Sequence, residues 1–302
     1  MSKKNQYQRW LILVAGLLVT LGLAFSACGP DNNGNESPGP EPSNQDGSVE
    51  DTSQVVDTAP TCRGNNDGVI TSKEVTFALG VSVNVMRNKP GTIVAVDHVG
   101  KLNDKQILQW DFREVQADSF DKVRTVDPTG KWFLSTFPEA NLLVPISFTG
   151  VEGTIYQVLR YSGDLLLLEG VASDKETPEG QKVLLPYDNP IPLLRFPLRD
   201  GKEWIVKANT KGNVGTLPVS SADTYDIKVA GRGSLILPNI QFDNTLRIFT
   251  TVRQRLIGGQ TRQLYQVLFF HECFGEVARV ESKDNESNAE FNRAALVRYI
   301  SF

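Results

Sequence analysis

The sequence predicts an all-β fold, either a large antiparallel sandwich or a curved, partly open barrel. Three observations carry this. From residue 80 onward, runs rich in Val, Ile, Leu, Phe, Thr and Tyr alternate with Gly, Pro, Asn and Asp. Segment 245–256 (TLRIFTTVRQRL) has period-two alternation, with Leu246, Ile248, Val252 and Leu256 on one face and Arg247, Phe249, Arg253 and Arg255 on the other. No long amphipathic helix and no fixed-period repeat accompanies these strands. At most one short helix is expected, near 71–79. The 302 residues carry a formal charge of −4 and 22% charged residues, so nothing marks the chain as a nucleic-acid binder.

Residues 1–27 read as a signal peptide. Lys3, Lys4 and Arg9 precede the uncharged run 11–25, which is too short for the ~20 apolar residues of a membrane-spanning helix. Phe25-Ser26-Ala27-Cys28 resembles the lipobox of bacterial lipoproteins, with Phe25 where Leu is usual. The resemblance implies that Cys28 becomes the lipidated first residue. Gly29, in place of a retention-favouring Asp, implies the outer membrane.

Residues 28–60 read as an acidic, disordered tether, with five prolines, seven carboxylates and no Lys or Arg after Cys28. The signal carries +3 and the tether −7, so the remaining 61–302 are neutral. That region is expected to be one β-rich domain, with a possible sub-boundary near 190.

With Cys28 assigned to lipid, Cys62 and Cys273 remain. An oxidising compartment suits a disulfide between them, the alternative being two buried thiols. Directly after Cys62, the run 63–74 resembles a degenerate calcium loop of the EF-hand or dockerin type. It offers Asn65, Asp67, the Val69 carbonyl and Glu74 as ligands, with Gly68 at the sharp turn. Arg63 stands where the first acidic ligand belongs. The other reading is a capped turn, since Asn, Asp and Gly favour turns for conformational reasons alone. Calcium is therefore the only cofactor in view.

Strands are expected at 81–86, 92–97, 107–115, 131–136, 141–149, 153–161, 164–172, 181–186, 202–208, 224–230, 233–237, 245–256, 262–274, 276–282 and 291–302. A hairpin turn falls at 257–260. The prolines of 186–198 argue against a central strand there, leaving an extended crossing or edge segment.

Chemistry is sparse. Asp97-His98 reads as a solvated strand end. On a strand, His271 and Cys273 share a face while Glu272 points away, a weak zinc signal beside a structural reading. No nucleophile elbow, phosphate-binding loop, dinucleotide fingerprint or H-E-x-x-H is present. Arg247, Arg253 and Arg255, with Arg262 across the hairpin, either meet anionic lipid or glycan or form a solvated face. The whole arrangement resembles outer-membrane lipoproteins of Gram-negative bacteria in which a short Cys-Asn-Asp-Gly segment precedes a β-rich domain. That resemblance implies an anchor and an address and carries no activity. The expectation is a non-catalytic β-domain tethered to the membrane by its lipid, with an envelope protein, glycan or lipid as partner. The alternative is a half-barrel carrier of a hydrophobic ligand.

Overall fold

The computed structural model describes residues 62, 64–75, 77–146, 153–177 and 182–302. The signal peptide, Cys28 and the tether lie outside the described residues. The fold is all-β, as the alternation predicts. Seventeen strands run in chain order: β1 (Val69–Ile70), β2 (Ser82–Arg87), β3 (Val94–Ala95), β4 (Lys101–Leu102), β5 (Leu108–Asp111), β6 (Ser119–Arg124), β7 (Leu142–Ile146), β8 (Ile155–Ser162), β9 (Leu165–Ser173), β10 (Val183–Arg195), β11 (Leu198–Arg199), β12 (Glu203–Val214), β13 (Leu217–Ile236), β14 (Gln241–Leu256), β15 (Thr261–His271), β16 (Gly275–Ser282) and β17 (Arg293–Ile300). The only helical turn among the described residues is the short 3-10 turn Ser72–Glu74.

Of the two predicted architectures, the barrel is the one formed. One sheet runs in the order β6-β2-β17-β16-β15-β14-β13-β12-β10-β9-β8-β7 and curls until its two ends meet. The ends are joined by one bridge, in which Val126 and Leu143 exchange N–H···O=C bonds of 2.9 Å each way. Sequence explains why the seam stops there. Backbone groups two residues apart on a strand point to the same edge, so Pro145 faces the seam as Leu143 does, and proline has no N–H to give.

The inner face follows from β12, where Glu203, Ile205, Lys207 and Asn209 are exposed and Trp204, Val206, Ala208 and Thr210 are buried. Register carries that inner face across to Ile227, Tyr225, Asp223 and Ser221 on β13. It continues to Thr250, Val252, Gln254 and Leu256 on β14. The interior is thus filled by side chains, aromatic and aliphatic with polar groups among them.

The strands β15 and β16 are largely buried on their outer face too. Trp110 of β5 and the following Phe112 pack on Phe269 with ring centroids 5.0 and 5.2 Å apart. This second layer explains why 267–270 is apolar on both faces. It arises where β13, having left β12, takes β5 as a parallel neighbour, with Gly233 opposite Leu108.

Several segments depart from the sequence reading, and β6 forms where no strand is expected. Residues 131–136 form successive turns rather than a strand, with Lys131 N–H bonded to Pro128 O and Leu134 N–H to Lys131 O. These turns place Phe133 and Phe137 in a second small core with Leu143, Tyr156 and Val158. The proline-rich stretch is no edge: β10 lies between β9 and β12. It tolerates its prolines because the pairing with β9 slips twice, between Pro186 and Ile191 and between Pro192 and Leu194. At such bulges a missing N–H breaks no ladder bond.

Candidate functional site

The start of the folded region is fixed to the β15–β16 turn. Cys62 and Cys273 form a disulfide, and the Cys273 N–H donates to the Glu74 carbonyl at 2.8 Å. The turn begins earlier than the sequence suggests. β15 ends at His271, and Cys273 adopts φ 66°, so Glu272 and Cys273 do not continue the strand's alternation. Glu272 is buried and accepts the Asn66 N–H on Oε2 at 2.9 Å. Its carboxylate holds the incoming loop.

The loop is organised by its short polar residues. Asn65 Oδ1 accepts the Asp67 N–H at 2.9 Å, and Asp67 Oδ1 accepts the Val69 N–H at 2.7 Å. The Asn65 amide also donates to Asp67 Oδ2 at 3.1 Å. These residues therefore share one turn. Glu74 is directed elsewhere: its Oε2 accepts both the N–H and the hydroxyl of Thr71, at 2.7 and 2.8 Å, forming a capping box on the 3-10 turn. Gly68 at φ 84° lies against the Arg232 guanidinium, which donates to the Asp67 carbonyl at 3.3 Å. Among the described residues, no group of three or more His, Cys, Asp or Glu side chains is placed to hold a metal.

Arg232 leads to a groove that the sequence did not announce. Between the β4–β5 hairpin and the β13–β14 hairpin lies an open cleft of about 670 Å³, whose lining includes Leu102, Asn103, Ile107, Gln241, Asp243 and Asn244. Arg232 Nε and Nη2 both donate to Asn244 Oδ1, at 3.0 and 2.7 Å. Asp243 Oδ1 accepts from Ser234 Oγ at 2.6 Å and from Gln241 Nε2 at 2.8 Å, and these bonds hold its carboxyl below the usual carboxylate range. The cleft joins residues more than a hundred positions apart, and no local pattern marks it. The nearest signals are Gly231-Arg232-Gly233, where a Cβ on Gly233 would strike the Leu108 carbonyl, and the unusual left-handed Asn244, at φ 58°.

The arginines do not form one patch. Arg253 and Arg255 are exposed. Arg262 lies on the inner face, donating to Gln254 Oε1 at 3.1 Å and to Asp284 at 2.5 Å. Arg247 is half-buried and donates to His98 Nδ1 at 3.0 Å. His98 is fully buried rather than solvated, its ring 4.3 Å from that of Phe291. Burial first, and then the neighbouring guanidinium, lower its pKa to about 4. Burial likewise brings Arg247 down to about 10. Sequence reading missed this contact because residues 98 and 247 meet only through the outer layer. His271 is lowered by burial and lies between Phe242 and Phe274, with centroids 5.2 and 5.6 Å away.

Inside the barrel, titratable groups are bound to one another. Tyr187 Oη and Gln254 Nε2 donate to Asp223 Oδ2 at 2.9 and 3.0 Å, and burial raises the Asp223 pKa. Arg279 and Arg298 both pair with Glu276, at 2.5 and 2.6 Å. Comparison with known proteins gives no match: no protein-family model, curated protein or solved structure is similar to this chain.

Proposed function

We propose that the chain is a lipid-anchored protein of the Gram-negative cell envelope, held in the outer membrane through Cys28. Its β-barrel domain binds or scaffolds an envelope component without catalysis. The observation that carries this reading is the agreement of two cysteine signals. Phe25-Ser26-Ala27-Cys28 addresses the chain to a lipid anchor, and the Cys62–Cys273 disulfide belongs to an oxidising compartment outside the cytoplasm.

The wall of the barrel supports the same reading. Glu203, Lys207, Asn209 and Lys211 point outward from β12, whereas a barrel crossing lipid turns an apolar band outward. The domain is built to face water at the end of its tether. Its inner face is filled by Trp204, Val206, Tyr225, Ile227 and their neighbours, so binding falls to outer surfaces rather than to a carried ligand. The buried Glu276 is already paired with two arginines, an arrangement suited to holding strands together rather than to exchanging protons with a substrate.

The test is metabolic labelling with radioactive palmitate in a Gram-negative host. Label is expected on the wild type and absent from Cys28→Ser, with an unprocessed precursor accumulating when signal peptidase II is inhibited. A wild-type chain that is processed and exported without label would overturn the anchor.

A further inference from the structure

We propose that the cleft between the β4–β5 and β13–β14 hairpins binds an uncharged oligosaccharide. This deepens the envelope-binding reading above and rests on it only for the compartment in which the sugar is met.

The size is suitable, since ligand clefts run to roughly 300–1,000 Å³ and this one is about 670 Å³. The choice of ligand comes from which atoms are already engaged. A sugar hydroxyl both donates and accepts, so a sugar site needs fixed acceptors and fixed donors side by side. Asp243 has Oδ1 fixed by Ser234 and Gln241, and its Oδ2 has no partner among the described residues. Asn244 has its Oδ1 doubly engaged by Arg232, which fixes the amide and leaves Nδ2 as a donor. Asn103 repeats the pattern, with Oδ1 accepting the N–H groups of Lys105 and Ile107 at 2.9 and 3.0 Å and Nδ2 left over. In each case the scaffold takes one end of the group and turns the opposite end outward, so little side-chain entropy remains to be lost on binding.

Beside these polar atoms stands an apolar ledge. Leu102 is 61% exposed and Ile107 43%, both on the β4–β5 hairpin. A ledge flanked by amides and a carboxylate matches a pyranose, which has an apolar C–H face and a hydroxylated rim. The charges favour no net charge on the ligand. The Lys105 ammonium and the Asp243 carboxylate both line the cleft and offset one another, and the Arg232 guanidinium is engaged by Asn244 and the Asp67 carbonyl. The Cys62–Cys273 disulfide and the Glu272–Asn66 bond hold the loop on which Arg232 rests.

The experiment uses the full chain in a zwitterionic, sugar-free detergent on a printed array of neutral gluco-, manno-, galacto- and chito-oligosaccharides, with sialylated and sulfated glycans alongside. Hits are then titrated calorimetrically. Saturable binding to at least one neutral oligosaccharide is expected. Asp243→Ala and the double variant Leu102→Ser/Ile107→Ser are each expected to weaken it at least tenfold. Ile205→Ser, on the exposed face of β12, should leave it unchanged. Circular dichroism checks that all variants fold, and Asn103→Ala gives a second, milder reading of the same cleft. The proposal is overturned if no neutral glycan binds, if only anionic glycans bind, or if binding survives both cleft variants. Palmitate labelling is independent of all these outcomes, so a labelled chain without glycan binding refutes the cleft alone, and an unlabelled chain that binds refutes the anchor alone.

Discussion

His98 should make the domain acid-sensitive over a defined window. The imidazole is buried against Phe291 and accepts a hydrogen bond from Arg247, so the fold requires its neutral form. Its pKa falls from an unfolded value of 6.5 to about 4 in the native state. The unfolded chain therefore takes up a proton that the folded chain refuses. The contribution to stability is complete above pH 6.5 and is lost as pH falls toward 4, after which the curve flattens. At 1.36 kcal/mol per pKa unit, the full loss is about 3 kcal/mol, a large share of an ordinary domain's stability. His98→Asn keeps an acceptor near the Nδ1 position and removes the titration. Guanidinium denaturation followed by tryptophan fluorescence, at fixed ionic strength from pH 8 to 4, measures both proteins. The difference between them isolates His98 from Asp223 and Glu281, whose raised pKa values work in the opposite direction. The wild type should lose about 3 kcal/mol relative to its own difference from His98→Asn at pH 8. A difference that stays level across the range would refute the reasoning, as would one that grows in favour of the wild type in acid.

Four other outcomes are expected. Replacing both Cys62 and Cys273 by Ala opens a link spanning a sequence separation of 211, and chain entropy puts the loss at about 5 kcal/mol, readable as a lower denaturation midpoint. Millimolar calcium should leave the melting temperature unchanged because Glu74 caps Thr71, whereas Thr71→Ala should cost about 1 kcal/mol; a calcium-dependent rise in the melting temperature would contradict this. Gly212→Ala would drive a Cβ into the Leu184 carbonyl across the β10–β12 pair. A loss of about 2 kcal/mol or more is expected in the same denaturation assay, against an inner wall with no room to move.

The alternation of 245–256 was legible because one side of β14 faces a filled interior, and burial imposes period two. The proline-rich β10 was illegible for a physical reason: its bulges let prolines sit inside a sheet, and a bulge leaves no local signature at the level of residue type. Phe133 looked like a strand residue because a turn that buries aromatics has the same composition as a strand that does so. The Cys62–Cys273 pair was readable by elimination of Cys28. Glu272 was visible but misplaced, because Cys273 turns into the left-handed region one residue after it. The cleft could not be read at all. Asn103 and Asp243 become neighbours only through the parallel pairing of β5 with β13, a contact between segments that period and composition treat as unrelated.

Among the described residues one bridge, Val126 to Leu143, closes the wall of the barrel, which behaves like a hoop with a clasp. Along β12 and β13, parting two strands means breaking a long ladder at once, with twelve residue pairs from Glu203–Lys228 to Val214–Leu217. At the clasp it means breaking two bonds, each contributing about 1 kcal/mol net. Circumferential strain from heat, denaturant or a pull on the tether therefore concentrates at one line. The amides of Val126 and Leu143 should exchange with deuterium well before those of β12 to β14, and the sheet should uncurl from this line before it comes apart anywhere else.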